Sequence, residues 1–330
     1  QHSPFLAGLA CLSVSRSRFH VPRRTGPFGV TDLSARLGPV ALSTPLVAAA
    51  GTVGSVFDFV QVTDFSFYGA AVAKSVSGEP WTGRPAPRIG SAGVGMLNGI
   101  GIQNPGIDAW LGKVAPELDT VPTQVWGSAV GNSPEEFARV ASGYADTGLP
   151  AVEVNLSCPN LDGHMFALDP KLAAEVVSAV RGAVDVPIGA KLSPNSEDIV
   201  SVAEACATAG ADWVVLTNTA WGAGIDIRTR RPTLSGVIGG YSGIPIKPRA
   251  LRCVIEVHRA IPDLPILGCG GIASGEDVIE YYLAGASAVG IGTIHFAEPR
   301  AAKRIHKEVR STLRKLGVSR LADLTGAMES

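Results

Sequence analysis

The sequence predicts a single (β/α)8 TIM barrel with loop insertions over its carboxyl-terminal face, and three observations carry that expectation. Eight short apolar runs recur along the chain, each ending in a polar or glycine turn. Helix-start signals stand between them, which implies parallel strands covered on both faces. At 330 residues the chain is long for a two-layer domain and ordinary for one barrel with insertions. Eight units favour closure over an open doubly wound sheet.

The runs are LVAAAG at 46, YGAAVAKS at 68, PTQVWGS at 122, AVEVNLS at 151, PIGAKLS at 187, WVVLTNT at 213, PILGCGG at 265 and AVGIGT at 288. Between them, Ser133-Pro134-Glu135-Glu136 supplies a cap, a proline at the first helical position and a glutamate three residues after the cap. Asp169-Pro170, Ser196-Glu197-Asp198 and Ser274 with Asp277 open helices in the same manner. Two connections, residues 76–118 and 220–247, are too long for plain loops and are expected to fold as flaps over one end. No Pro/Gly/Ser-rich linker splits residues 31–330, so they read as one domain.

Composition narrows the function. A net charge of -1 argues against nucleic acid as the main partner. The 5 cysteines, at 11, 158, 206, 253 and 269, are odd in number and form no CxxC pair. Free thiols in a reducing compartment follow, with no zinc or cluster site, and a cytoplasmic location is expected. No run of apolar residues is long enough to span a membrane. Residues 1–30 carry FLAGLACLSV, then SRSRFHVPRR, and no acidic residue precedes Asp32. Arg- and Ser-rich, acid-poor composition suits an organellar presequence. The charge follows the apolar patch, however, where a secretory signal would have it precede, so the segment reads as a disordered extension.

Active sites of this fold gather at the carboxyl ends of the strands. Those ends are Gly51, Lys74, Ser128, Asn155 with Ser157, Lys191, Asn218 with Thr219, Gly270-Gly271 and Gly292-Thr293. Two lysines, amides, hydroxyls and bare backbone suit an anion and a flat heterocycle. The glycine pairs of GCGGI and GIGT, with GGYSG at 239–243, let backbone N–H groups close on a phosphate. A phosphate anchor beside two lysines points to a phosphorylated cofactor the size of flavin mononucleotide (FMN). No G-x-G-x-x-G opens a helix after the first strand, so a dinucleotide site of the Rossmann kind is not supported. Cys206 and Cys253 read as buried packing residues, Cys269 as packing close to the phosphate, and His164 as a loop residue. Cys158 differs, because it sits past a strand end beside Pro159 and between amides. A thiol with an ordinary pKa near 8.5 can serve there as a general base with modest tuning.

Together NLSCPN, MLNGIGIQNPG, AKLSPN, TNT, DIRTRRP, GGYSGIPIKP, GCGGI and IGT resemble the class 1 dihydroorotate dehydrogenases, most closely the class 1B catalytic subunit. The resemblance covers roughly residues 31–325 in one order, and its specificity lies in the conjunction of motifs. It implies an FMN enzyme that oxidises (S)-dihydroorotate to orotate in pyrimidine biosynthesis. Cys158 would take the C5 proton while hydride leaves C6 for flavin N5. Lys74, Asn98, Asn155, Asn160, Asn218 and Thr219 would hold the substrate. Gly51, Lys74, Ser75, Ser128, Asn155, Lys191, Ser242, Gly243, Gly270, Gly271, Gly292 and Thr293 would surround the cofactor, with Lys191 by the N1 and O2 edge. The resemblance further implies a partner subunit with FAD and a two-iron two-sulfur cluster passing electrons to NAD, around a homodimeric core. Class 1A enzymes instead work alone and reduce fumarate. Two departures stand out: Ser128 replaces an asparagine, weakening one flavin contact, and LDGHMFALDP at 161 replaces the usual loop over the cysteine. A dihydropyrimidine dehydrogenase-like enzyme, a tRNA dihydrouridine synthase, for which a basic face is lacking, and a non-catalytic flavoprotein scaffold are the rival readings.

Overall fold

Side chains alternate between the two faces of a strand, so a closed parallel sheet sorts each run into a lumen set and a helix-facing set. In a computed structural model, which describes residues 31–157 and 165–329, each of the eight runs coincides with a barrel strand, and one strand extends a residue past its run to Ala129. The strands are β1 (Leu46–Ala48), β2 (Ala70–Val72), β3 (Gln124–Ala129), β4 (Val152–Asn155), β5 (Ile188–Lys191), β6 (Trp213–Leu216), β7 (Ile266–Cys269) and β8 (Ala288–Ile291). Each pairs in parallel with its sequence neighbour, and β8 closes on β1 through Val289 opposite Leu46. The readings of residues 1–30, Cys158, Asn160 and His164 lie outside the described residues.

The outer layer is built from α1 (Ile107–Lys113), α2 (Pro134–Asp146), α3 (Pro170–Ala183), α4 (Ile199–Thr208), α5 (Lys247–Ala260), α6 (Gly275–Leu283), α7 (Ile294–Ala297) and α8 (Ala301–Leu316). Ser133 caps α2 by accepting from the Glu136 N–H, and Asp169 caps α3 by accepting from Lys171 and Leu172. In the 196–198 signal the cap is Asp198, and Ser274 with Asp277 forms a reciprocal capping box. The repeating rhythm fails once. Between β1 and β2 the chain makes only the 3-10 turns Phe57–Phe59 and Phe65–Phe67.

Below the barrel, Ala35–Leu37 and Val40–Leu42 pair as a hairpin that the sequence reading missed. Its Leu37 and Leu42 join Val47, Trp126 and Trp213 in one buried cluster, a plug for the amino-terminal end of the lumen. Trp126 and Trp213 stack at a tilt with ring centroids 5.3 Å apart. Gly189 makes room for them, since a Cβ there would lie 2.2 Å from the Trp213 indole nitrogen. Above the barrel the two long connections do not fold separately. Ala220–Ala223, Ile238–Gly243, Gly95–Asn98 and Ile89–Ala92 form one antiparallel sheet in that order. Among the described residues no helix is long and apolar enough to cross a membrane.

The packing predicts opposite outcomes for two glycines. Gly189→Ala should destabilise the protein by about 1–3 kcal/mol, the usual cost of overfilling a packed core. Gly182→Ala, on α3 with no atom near its would-be Cβ, should stabilise by roughly 0.5–1 kcal/mol. Urea denaturation midpoints of the two variants check both signs.

Candidate active site

Polar side chains buried in the lumen of a barrel must find hydrogen-bond partners, and here they find one another in a continuous chain. It begins at Lys191 on β5, whose Nζ donates to Oε1 of Glu153 on β4 at 3.3 Å, with both side chains buried. Ser128 on β3 donates to the same oxygen at 3.2 Å. With its proton so committed, Ser128 accepts from the Ser75 hydroxyl at 2.9 Å, and Ser75 accepts from Nδ2 of Asn155 at 3.1 Å. Asn155 Oδ1 in turn accepts from Ser157 at 3.0 Å and from Nδ2 of Asn218 at 3.3 Å. Asn218 also donates to the Ser157 hydroxyl at 2.6 Å, and its Oδ1 accepts the Thr219 N–H at 2.7 Å. Every donor in this series points toward the Glu153 carboxylate. Such head-to-tail alignment lets each bond polarise the next.

The antiparallel sheet meets this rim at one corner. Asn98 Nδ2 donates to the Gly240 carbonyl at 3.3 Å, and a Cβ on Gly240 would lie 2.3 Å from Thr219 Oγ1. Asn195 fastens the corner by accepting from the Trp221 N–H at 3.0 Å while donating to Ser193 and the Thr219 carbonyl. Ser242 donates to the Met96 carbonyl across the sheet. Lys74 lies beside Gly51, where an added Cβ would touch its Cδ at 3.5 Å.

The glycines named from sequence fall into two groups. Gly270 and Gly271 have positive φ, and a Cβ on either would strike Ala250 or Lys247 of α5 at 2.7 Å. Packing alone therefore explains them. Gly292 has neither constraint: its φ is not positive, and a Cβ would meet only ordinary contacts at 3.5 Å with Ala49 and Thr52. Gly243 approaches Thr293 and the Gly95 backbone, which draws the 239–243 and 292–293 segments together. Cys269 faces the lumen near Gly290, and burial pushes its thiol up, against the opposing pull of Lys191.

Two residues were missed by the sequence reading. Glu153 had a visible signal, being the one charged residue in the run AVEVNLS. His295 had none. It is buried on α7, directly after the Gly292-Thr293 segment, with Nδ1 at 2.9 Å from Thr52 Oγ1 and Nε2 at 2.8 Å from the Tyr68 hydroxyl. Thr52 donates to the Ala49 carbonyl, so Nδ1 carries the proton and Nε2 accepts from Tyr68. The imidazole thus ties the end of β1 to the segment after β8.

Comparison with known proteins places the chain in a family. A family model described as dihydroorotate dehydrogenase matches residues 33–313. The dihydroorotate dehydrogenase B (NAD(+)) catalytic subunit of Pelobacter propionicus is 43% identical over 301 residues, covering 90% of this chain and 99% of its own. The subunit of the same name from Geotalea daltonii is 44% identical over 303 residues, covering 90% and 98%. The crystal structure of DHODH from Eimeria tenella in complex with ferulenol superposes with a TM-score of 0.76, covering 93% of this chain and 90% of that one, at 20% identity. That last likeness speaks to the fold.

Burial lowers the His295 pKa from its ordinary 6.5 to about 4. In the unfolded chain the ring takes up its proton near pH 6.5, whereas in the fold it stays neutral to about pH 4. Unfolding is therefore favoured as pH falls through that window, each pH unit costing about 1.4 kcal/mol and the whole roughly 3 kcal/mol. His295→Gln should lack this component of acid sensitivity. Stability curves of the two proteins from pH 7 to pH 4 should converge as pH falls, and parallel curves would contradict the assignment.

Proposed function

Because the chain belongs to the dihydroorotate dehydrogenase family, we propose that it oxidises (S)-dihydroorotate to orotate with FMN as its cofactor. The observation that carries this reading is the unbroken hydrogen-bond series from Lys191 to Thr219 at the barrel mouth, joined by Asn98 and Ser242 from the sheet above. The site also suits the group chemically. Gly292 is a glycine that neither backbone conformation nor protein packing requires, which fits a phosphate approaching its N–H. Lys74, Lys191, Ser75 and Asn155 offer cationic and hydrogen-bonding groups to a flavin ring, with Gly51, Ser128, Ser242, Gly243, Gly270, Gly271 and Thr293 as the remaining lining. When bound, FMN supplies the two-electron acceptor that no side chain offers.

The chain's own residues divide the remaining work. Asn98, Asn155, Asn160, Asn218 and Thr219 would hold the dihydropyrimidine edges and its carboxylate, with Lys74 meeting the anionic charge. Amides suit that task, since each offers donors and an acceptor at a fixed angle. Cys158, one residue past Ser157, would remove the C5 proton as general base. For the onward path of electrons we propose NAD, reached through a partner subunit carrying FAD and a two-iron two-sulfur cluster, with a homodimer at the core. The relatives' printed name, a catalytic subunit with NAD(+), supports that choice over fumarate. The thiols of Cys206, Cys253 and Cys269 are free, which suits a cytoplasmic setting.

Two outcomes test this function. The purified or FMN-reconstituted protein should be yellow and should bleach on anaerobic mixing with dihydroorotate. A chain that takes up no FMN, or flavin that dihydroorotate leaves oxidised, contradicts the reading. Cys158→Ser should still bind FMN and orotate, yet reduce its flavin more slowly by on the order of 10² to 10⁴, with a residual rate that climbs with pH. Stopped-flow reduction at wild-type speed would remove the thiol from the reaction.

A further inference from the structure

Glu153 has no part in the reaction just described, yet the fold spends a buried carboxylate on it. Only 2% of the residue is exposed, in the lumen of the barrel. A charge placed there costs several kcal/mol unless it is paired and hydrogen-bonded. The pairing is specific: one oxygen, Oε1, accepts both Lys191 Nζ and Ser128 Oγ, from the strands on either side of β4. Ser128 leads on to Ser75 and Asn155. One carboxylate oxygen is therefore where the cation and the whole hydroxyl and amide series end.

Two consequences follow. The Glu153 charge commits the Ser128 and Ser75 protons inward, which fixes what those groups and Asn155 can offer at the mouth. It also opposes the charge of Lys191, so the pair carries no net charge. A lysine without that carboxylate would present a stronger positive potential to anything seated above it, and a low-dielectric lumen screens such a difference poorly. We propose that Glu153 is a positioning residue that holds Lys191 and the Ser128–Ser75 pair and, by offsetting the lysine charge, sets the balance between oxidised and reduced flavin in the mouth. The flavin part of this statement rests on the function proposed above.

Glu153→Gln keeps the side-chain shape and an acceptor oxygen while removing the charge. The bound flavin should then favour its reduced, more anionic form by about tenfold or more, which for a two-electron couple is a rise of about 30 mV per tenfold. Equilibration with a reference dye in xanthine oxidase-driven reduction reads that shift. Glu153→Gln combined with Lys191→Met removes both charges and should return the balance toward wild type. An unchanged or lowered potential in Glu153→Gln overturns the electrostatic role. The apoprotein supplies a readout independent of FMN. Lys191→Met alone strands the Glu153 carboxylate and should lower the urea midpoint, whereas adding Glu153→Gln should recover most of that loss. Losses that simply add show that Glu153 does not hold Lys191, and the proposal fails. A chain that binds no FMN while the apoprotein losses fail to add would sink the proposed function and leave the Glu153–Lys191 pairing standing.

Discussion

Closure of the parallel sheet is the constraint on which the rest of this structure depends. Once β8 pairs with β1, the barrel sheet has no edge, and the lumen of eight strands is only wide enough for side chains. Whatever points inward must therefore pack. At the amino-terminal end that demand is met by Trp126 and Trp213 with the hairpin leucines beneath them, and by a glycine at 189 where a larger residue would collide. The bulk of the indoles fills the lumen floor, so the polar residues are confined to the layers above.

Those upper layers obey a second rule, that a buried polar group needs a partner. Neighbouring strands in register bring Ser128 opposite Glu153, and Asn155 opposite Lys191. The hydrogen bonds then run between strands, and the network depends on the barrel's register as much as on its residue types. Shifting one strand by a single residue would turn its lumen side chains toward the helices and break the series. The hydrogen-bond series at the mouth and the stability of the barrel thus share the same atoms.

The antiparallel sheet extends this logic outward. Residues from two distant connections pair as Gly240 with Asn98 and Tyr241 with Leu97, which places Asn98 and Ser242 on regular backbone. A strand holds a side chain more narrowly than a free loop does, and site residues gain from that support. His295 performs a related service behind the mouth. By joining Thr52 and Tyr68 it couples the segment after β8 to the connection between β1 and β2, the one connection among the described barrel units that lacks an α-helix.

Local patterns determined a good deal on their own. The eight strands were legible because fully buried strands need apolar runs, and the helix starts because Ser133, Asp169, Asp198 and Ser274 satisfy N–H groups of their own first turns. The rim residues Lys74, Ser128, Asn155, Lys191 and Asn218 could be named because strand ends in this fold converge, and Cys158 stands on sequence reasoning alone. Tertiary structure decided what those residues touch. AVEVNLS shows a glutamate, but not that its partner is a lysine on the next strand, because the pairing arises only when β4 and β5 align in register. The lengths of residues 76–118 and 220–247 announced structured insertions, yet not a shared sheet, since cross-strand pairing between segments more than a hundred residues apart leaves no local trace. The 35–42 hairpin is three residues a side, too short for periodicity to speak, and is held by the lumen it plugs. His295 carried no signal at all, because a histidine acquires its tautomer and its partners only from the groups that burial brings to its two nitrogens.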